Sequence, residues 1–170
     1  DGTEDTLDFS ALEYGVGVDV DLAASFTSVS NTGKALTIDF NYSNRTIENV
    51  IGTAYNDRFT DSDLIANSTF AGGLGDDTYV SKRGYFGSAP PSGHDTIIEL
   101  PGQGNDTLDF SPINEPLYGG ITIDLLSNNP AQPVIGDFTL NLSNAAGIEK
   151  VIGTSNADVI TANGNDNWLQ

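Results

Sequence analysis

The sequence predicts an all-β fold of short strands and tight turns, wound into repeating coils as a β-solenoid. Three observations carry that reading. The composition favours strands and turns over helices. Blocks of sequence recur 101 residues apart. One Gly-rich nonapeptide has the form of a coil corner.

The composition comes first. Of 170 residues, 24 are Asp or Glu, 18 of these being Asp, against 6 Lys plus Arg; the formal net charge is −18. Asn, Thr and Gly are abundant, β-forming aliphatics are plentiful, and Met is absent. Such a mixture suits short strands and turns and does not suit helices. A hydrophobic share of 38% is too high for a disordered acidic tail. The charge therefore belongs to a folded chain and has to be managed within it, and bound cations are the obvious means. Oxygen-rich Asp, Asn and Gly turns suit calcium best among the common metals.

The same numbers exclude other classes. A chain this acidic is not expected to bind nucleic acid, which requires a basic patch. No apolar run reaches the roughly 18–20 residues of a membrane span. With no Cys there is neither a disulfide framework nor a thiolate site. A single His, His94, leaves no His-clustered zinc site.

The repeats set the domain organisation. Asp5-Thr6-Leu7-Asp8-Phe9-Ser10 recurs as Asp106-Thr107-Leu108-Asp109-Phe110-Ser111. Ile47-Glu48-Asn49-Val50-Ile51-Gly52-Thr53 recurs as Ile148-Glu149-Lys150-Val151-Ile152-Gly153-Thr154 at the same offset of 101. The expected organisation is a first unit over 1–101 and a second, incomplete unit over 102–170, forming one continuous solenoid. Between the landmarks, apolar residues alternate at Val16-Val18-Val20-Leu22, Leu36-Ile38-Phe40, Ile121-Ile123-Leu125 and Phe138-Leu140-Leu142. A period of two marks strands with one buried face. Residues 81–94 and 127–136 read as loops from their Pro, Gly and Ser content.

Gly72-Gly73-Leu74-Gly75-Asp76-Asp77-Thr78-Tyr79-Val80 fits the nonapeptide G-G-x-G-x-D-x-U-x at every fixed position. The glycines allow a tight turn with exposed carbonyls, the Asp supplies a hard anionic oxygen, and Tyr79 starts a strand and points inward. Asp57 precedes Asp77 by 20 residues. The step from Phe59 to Phe70 takes 11 residues where Ile160 to Leu169 takes nine, which isolates a two-residue insertion near Asp61–Asp63. Asp57 and Asp77 then fall on one edge in adjacent coils. Asp95 joins that edge only if residues 81–94 replace a half-coil.

These residues resemble the RTX, or hemolysin-type calcium-binding, repeat family, in its long-period variety from large secreted bacterial surface proteins. Gly-Gly-Leu-Gly-Asp-Asp-Thr-Tyr at 72–79, Gly93-His94-Asp95-Thr96-Ile97-Ile98-Glu99, the Asp106–Ser111 block and the Ile47–Thr53 block carry the likeness, which spans nearly the whole chain. The resemblance implies a right-handed parallel β-roll or β-solenoid with irregular loops. It also implies calcium-dependent folding and an extracellular, secreted location. The implied metal residues are Gly73, Gly75, Asp76 and Asp77, with Asn56, Asp57, Asp95 and Asp158 matching less completely. Thr53 and Tyr55 stand where Gly is expected and Asn167 where Asp is expected, and residues 11–46 and 112–147 lack the nonapeptide. Calcium sites are accordingly expected to be few.

For other acids the plainer role is preferred. Asp8 and Asp109 are expected to face solvent, and Glu48 and Glu149 to bond turn backbone. His94 has no matched nucleophile, and the carboxylate pairs already have a structural explanation, so an enzyme is not expected. Asn41, Asn44, Asn67, Asn105 and Asn141 head Asn-x-Ser/Thr sequons and are candidate glycosylation sites. Neither end of the sequence carries a cap signature, and solenoid ends need covering. The expected function is an extracellular calcium-binding structural protein that stacks head-to-tail, either as a fibre subunit or beside neighbouring repeats of one large adhesin. The alternative is a glycan- or protein-binding module presented on residues 81–94 and 127–136, with Tyr85 and Phe86 as stacking groups.

Overall fold

The computed structural model describes residues 4–13, 15–22, 27–31, 34–38, 47–61, 67–82, 92–113, 119–127 and 129–170, with the backbone alone for 27–31, 34–38 and 92. Among them the structure is all-β. The one helical piece is a 3-10 turn, Ala145–Gly147, capped by the Asn144 side chain, which accepts from the Ala146 amide at 3.1 Å.

Sixteen short strands follow one another among the described residues. β1 (Thr6–Asp8) and β2 (Asp19–Asp21) precede a hairpin, β3 (Thr27–Asn31) and β4 (Lys34–Ile38). Next come β5 (Asn49–Ile51), β6 (Arg58–Asp61), β7 (Thr69–Ala71), β8 (Thr78–Ser81), β9 (Ser92–Ile98) and β10 (Thr107–Asp109). The chain continues through β11 (Thr122–Asp124), a hairpin of β12 (Gln132–Ile135) and β13 (Asp137–Leu142), then β14 (Lys150–Ile152), β15 (Val159–Thr161) and β16 (Trp168–Leu169).

The sheet order explains why the strands are so short. One sheet runs β1-β5-β7-β9-β13-β12, a second runs β16-β14-β10-β8-β6-β2-β3-β4, and β11 pairs with β15. From β5 to β10 each successive strand joins the opposite sheet, so every strand meets its sequence neighbour but one, in parallel. Each strand needs only enough length to place one large residue inward. The register stacks those residues into columns. Leu7, Val50, Phe70, Ile97 and Leu142 align on the first sheet. Val20, Phe59, Tyr79, Leu108 and Val151 align on the second. The columns meet in one core, where the Phe59 ring lies 5.6 Å from both the Phe70 and the Tyr79 rings.

The repeat is visible in the pairing. β1-β5 and β10-β14 share the same register 101 residues apart. The pair β2-β6 recurs as β11-β15. The path β1-β2-β5-β6-β7-β8-β9-β10 makes seven crossings between sheets, an odd number, so β1 and its equivalent β10 belong to opposite sheets.

The 127–136 segment departs from its expectation as a loop. Residues 132–135 form β12, because Val134 and Ile135 are buried and Pro133 sits where the β12–β13 register shifts, a position that tolerates a missing N–H. The end of the 81–94 segment likewise enters β9. Tyr85, Phe86, Phe40, Asn41 and Asn44 lie outside the described residues. No helix among the described residues is long and apolar enough to cross a membrane.

Phe59 is fully buried where the two columns meet. Phe59→Ala should lower unfolding free energy by about 3–5 kcal/mol, measured by urea denaturation.

Candidate metal centre

The site begins as a problem of backbone satisfaction. Each corner between sheets leaves an amide that points along the stack, and water is excluded there. Asp57, Asp77 and Asp106 sit one residue before β6, β8 and β10 and form a relay across them. The Asp57 amide donates to Asp77 Oδ1 at 2.7 Å, the Asp77 amide to Asp106 Oδ1 at 2.9 Å, and the Asp106 amide to Glu149 Oε2 at 2.9 Å. Val18 donates to Asp57 Oδ1 at 2.6 Å at the other end of the row. Glu48 and Glu149 both take the expected backbone role; Glu48 Oε2 accepts the Asp5 amide at 2.8 Å.

Whether a carboxylate is satisfied depends on the residue four positions earlier. At Asp57 that residue is Thr53, whose amide reaches Oδ2 at 2.6 Å and whose hydroxyl reaches Oδ1 at 3.0 Å. At Asp158 it is Thr154, with matching bonds of 2.8 and 2.9 Å. At Asp77 it is Gly73, which has no hydroxyl and whose backbone takes φ 101°. Asp77 Oδ2 is left buried without a hydrogen-bond partner.

Two more oxygens share that condition, Glu99 Oε2 and Asp106 Oδ2. Asp77, Glu99 and Asp106 are 0%, 1% and 1% exposed, and each offers a carboxylate oxygen within 4.8 Å of the others. Glu99 is brought in from the end of β9 and held by the Tyr79 hydroxyl, which donates to Oε1. Gly72 closes the wall, since a β-carbon there would run into Asp77 Oδ2, Glu99 Oε1 and the Tyr79 oxygen.

The electrostatics follow from burial. Desolvation pushes the Asp77 carboxyl up to about 8, with Asp57, Glu99 and Asp106 adding repulsion and the Asp57 amide opposing it. Glu99 rises to about 7, through burial and the charge of Asp106, against the Tyr79 hydrogen bond. Asp106 rises to about 6, through burial and the charge of Glu149, against the Asp77 amide. Burial, then Glu99, raises the Tyr79 phenol as well. Three buried anions with orphaned oxygens need either protons or a cation. The donor set, carboxylate oxygens alone, suits a hard cation, so the cluster can hold a metal ion.

The other sequence-derived residues are placed as follows. Asn56, Asp76 and Asn105 form an exposed outer rung: Asn56 Oδ1 accepts the Asp76 amide, and Asp76 Oδ1 the Asn105 amide, both at 2.9 Å. Gly73 and Gly75 lie in the corner leading to β8. Asp95 lies on β9 in the first sheet, where Oδ1 accepts the Ser68 amide at 3.0 Å, so the neighbour of Asp77 along its row is Asp106. Asp158 is half-buried and accepts from the Ile121 amide and from Thr154. Asp8 and Asp109 each accept from the Ser two residues on, at 2.9 and 3.0 Å to its amide. Among the sequons, Asn67 and Asn105 are exposed and Asn141 is half-buried on β13. The His94 ring lies 2.8 Å from the Thr139 hydroxyl.

Sequence reasoning did not assign Asp106 or Glu99 to the metal set. A signal for Asp106 was present: Pro101-Gly102-Gln103-Gly104-Asn105-Asp106-Thr107-Leu108-Asp109 is the nonapeptide with Pro at its first position. Glu99 has no such local mark, because only the crossing from β9 carries it to Asp77.

In chelator the protein should lose stability as pH rises from about 4 to about 8. The folded carboxyls bind protons more tightly than unfolded ones, so their contribution is full below about 4 and lost through the raised folded values. Urea midpoints across that range check it.

Set against protein-family models and against curated proteins, the chain matches none.

Proposed function

We propose that this chain is a segment of an extracellular, calcium-stabilised parallel β-solenoid, structural rather than enzymatic, stacked in series with further repeat units of a long surface protein such as an adhesin stalk. The observation that carries the reading is the trio of buried, unpartnered carboxylate oxygens at Asp77, Glu99 and Asp106. Strands alternating between two largely parallel sheets favour the solenoid, and the resemblance to the RTX repeats implies right-handed winding. Calcium suits an all-oxygen, multiply anionic site better than zinc, which prefers nitrogen and sulfur. The net charge of −18 and the absence of Cys favour a secreted acidic surface protein with calcium in supply and no disulfides.

Calcium at 100 times its Kd should raise Tm by roughly 5–10 °C, and EDTA should reverse the shift. Circular dichroism melting is the test; identical melts with calcium and with EDTA would defeat the proposal. Asp77→Asn should show opposite effects in the two conditions, melting higher than the parent in EDTA above pH 7 and failing to respond to calcium. Calcium affinity should rise from pH 6 to pH 8, because binding must displace the protons held by Asp77, Glu99 and Asp106. Titration calorimetry at the two pH values checks it.

A further inference from the structure

The metal cluster lies across a joint. Asp77 and Glu99 belong to the first repeat unit, whereas Asp106 opens the second, as the equivalent of Asp5. We infer that Asp5 is one third of another such centre, completed when a further repeat unit docks on β1 through a coil built like residues 72–101.

The equivalence rests on bonded geometry. The Asp106 carbonyl accepts the Glu149 and Lys150 amides at 3.1 and 3.0 Å, and the Asp5 carbonyl accepts the Glu48 and Asn49 amides at 3.2 and 3.0 Å. The Asp106 amide donates to Glu149 Oε2 and the Asp5 amide to Glu48 Oε2. Both following segments then run as matching strands, β10 on β14 and β1 on β5, with Phe110 and Phe9 each donating to an Ile carbonyl at 2.8 Å.

The difference between the two faces lies on the other flank. β10 is covered there by β8, and Asp106, Leu108 and Phe110 are 1–2% exposed. β1 pairs only with β5 among the described residues, and Asp5, Leu7 and Phe9 are only half-buried. Residues that form core at one joint are thus left partly open at the other. What covers the first joint identifies what fits the second: a strand like β8, followed by a crossing that delivers a carboxylate like Glu99. The docked coil would accept the Thr6 amide, as Asp77 O accepts the Thr107 amide at 2.8 Å, and would donate an amide to Asp5, as Asp77 does to Asp106.

This inference rests on the calcium reading above and adds that each joint between units carries one ion. The test compares the 170-residue chain with a chain in which residues 5–105 are duplicated in tandem ahead of Asp5. Calcium stoichiometry by equilibrium dialysis should be one for the first and two for the second. Asp5→Asn in the second copy of the duplicated chain should return it to one, and Asp5→Asn in the 170-residue chain should leave it at one. Hydrogen exchange should slow at the junction Thr6 amide in the duplicated chain to the level of Thr107. One ion in both parent chains overturns the joint site and leaves the calcium function standing. No ion in either defeats both. An unprotected Thr6 amide in the duplicated chain overturns the docking.

Discussion

The structure depends on one recurring interaction, a carboxylate that accepts the backbone amide of the corner before it in the row. A corner this tight cannot satisfy its own amides, and stacking removes them from water. The row from Val18 through Asp57, Asp77 and Asp106 to Glu149 answers that need with one side-chain oxygen per coil. The strands can then be three or four residues long, because the corners are held independently of strand length. The cost is a line of negative charge close to the hydrophobic columns.

How each coil disposes of that charge separates scaffold from site. Thr53 and Thr154 each bring an amide and a hydroxyl back onto the carboxylate of their own corner. Gly73 brings neither, and Asp77 is left with an open oxygen in a cluster whose other two members, Glu99 and Asp106, each have one as well. Asp77 therefore sits at a corner that can hold a cation, where Asp57 and Asp158 sit at self-satisfied ones. At the other corners the backbone amide of Thr53 or Thr154 occupies the Oδ2 position that Asp77 leaves open, and the hydroxyl adds a bond to Oδ1.

Much of the fold was legible in the chain. The alternating Ile121-Ile123-Leu125 and Phe138-Leu140-Leu142 runs are buried strand faces. The spacing of Asp57 and Asp77 placed them on one edge, and the Asp57 amide does bond Asp77 where β6 pairs with β8. Asp95 was harder to place, because the length of residues 81–94 does not reveal which sheet the chain re-enters. Pro133 concealed β12 by suggesting a loop where Val134 and Ile135 had hydrophobic reason to pair.

By itself the sequence determined the β character, the 101-residue period and the corner at 72–80, since these depend on local chemistry: alternation, turn residues and repeated blocks. The tertiary structure decided which carboxylates meet. Glu99 reaches Asp77 and Tyr79 from 20 or more residues away, and Asp106 from the start of the next unit. An odd number of crossings also puts equivalent strands on opposite sheets. Such outcomes follow from how many times the chain crosses between sheets and from the inserts it carries on the way, which no local spacing records.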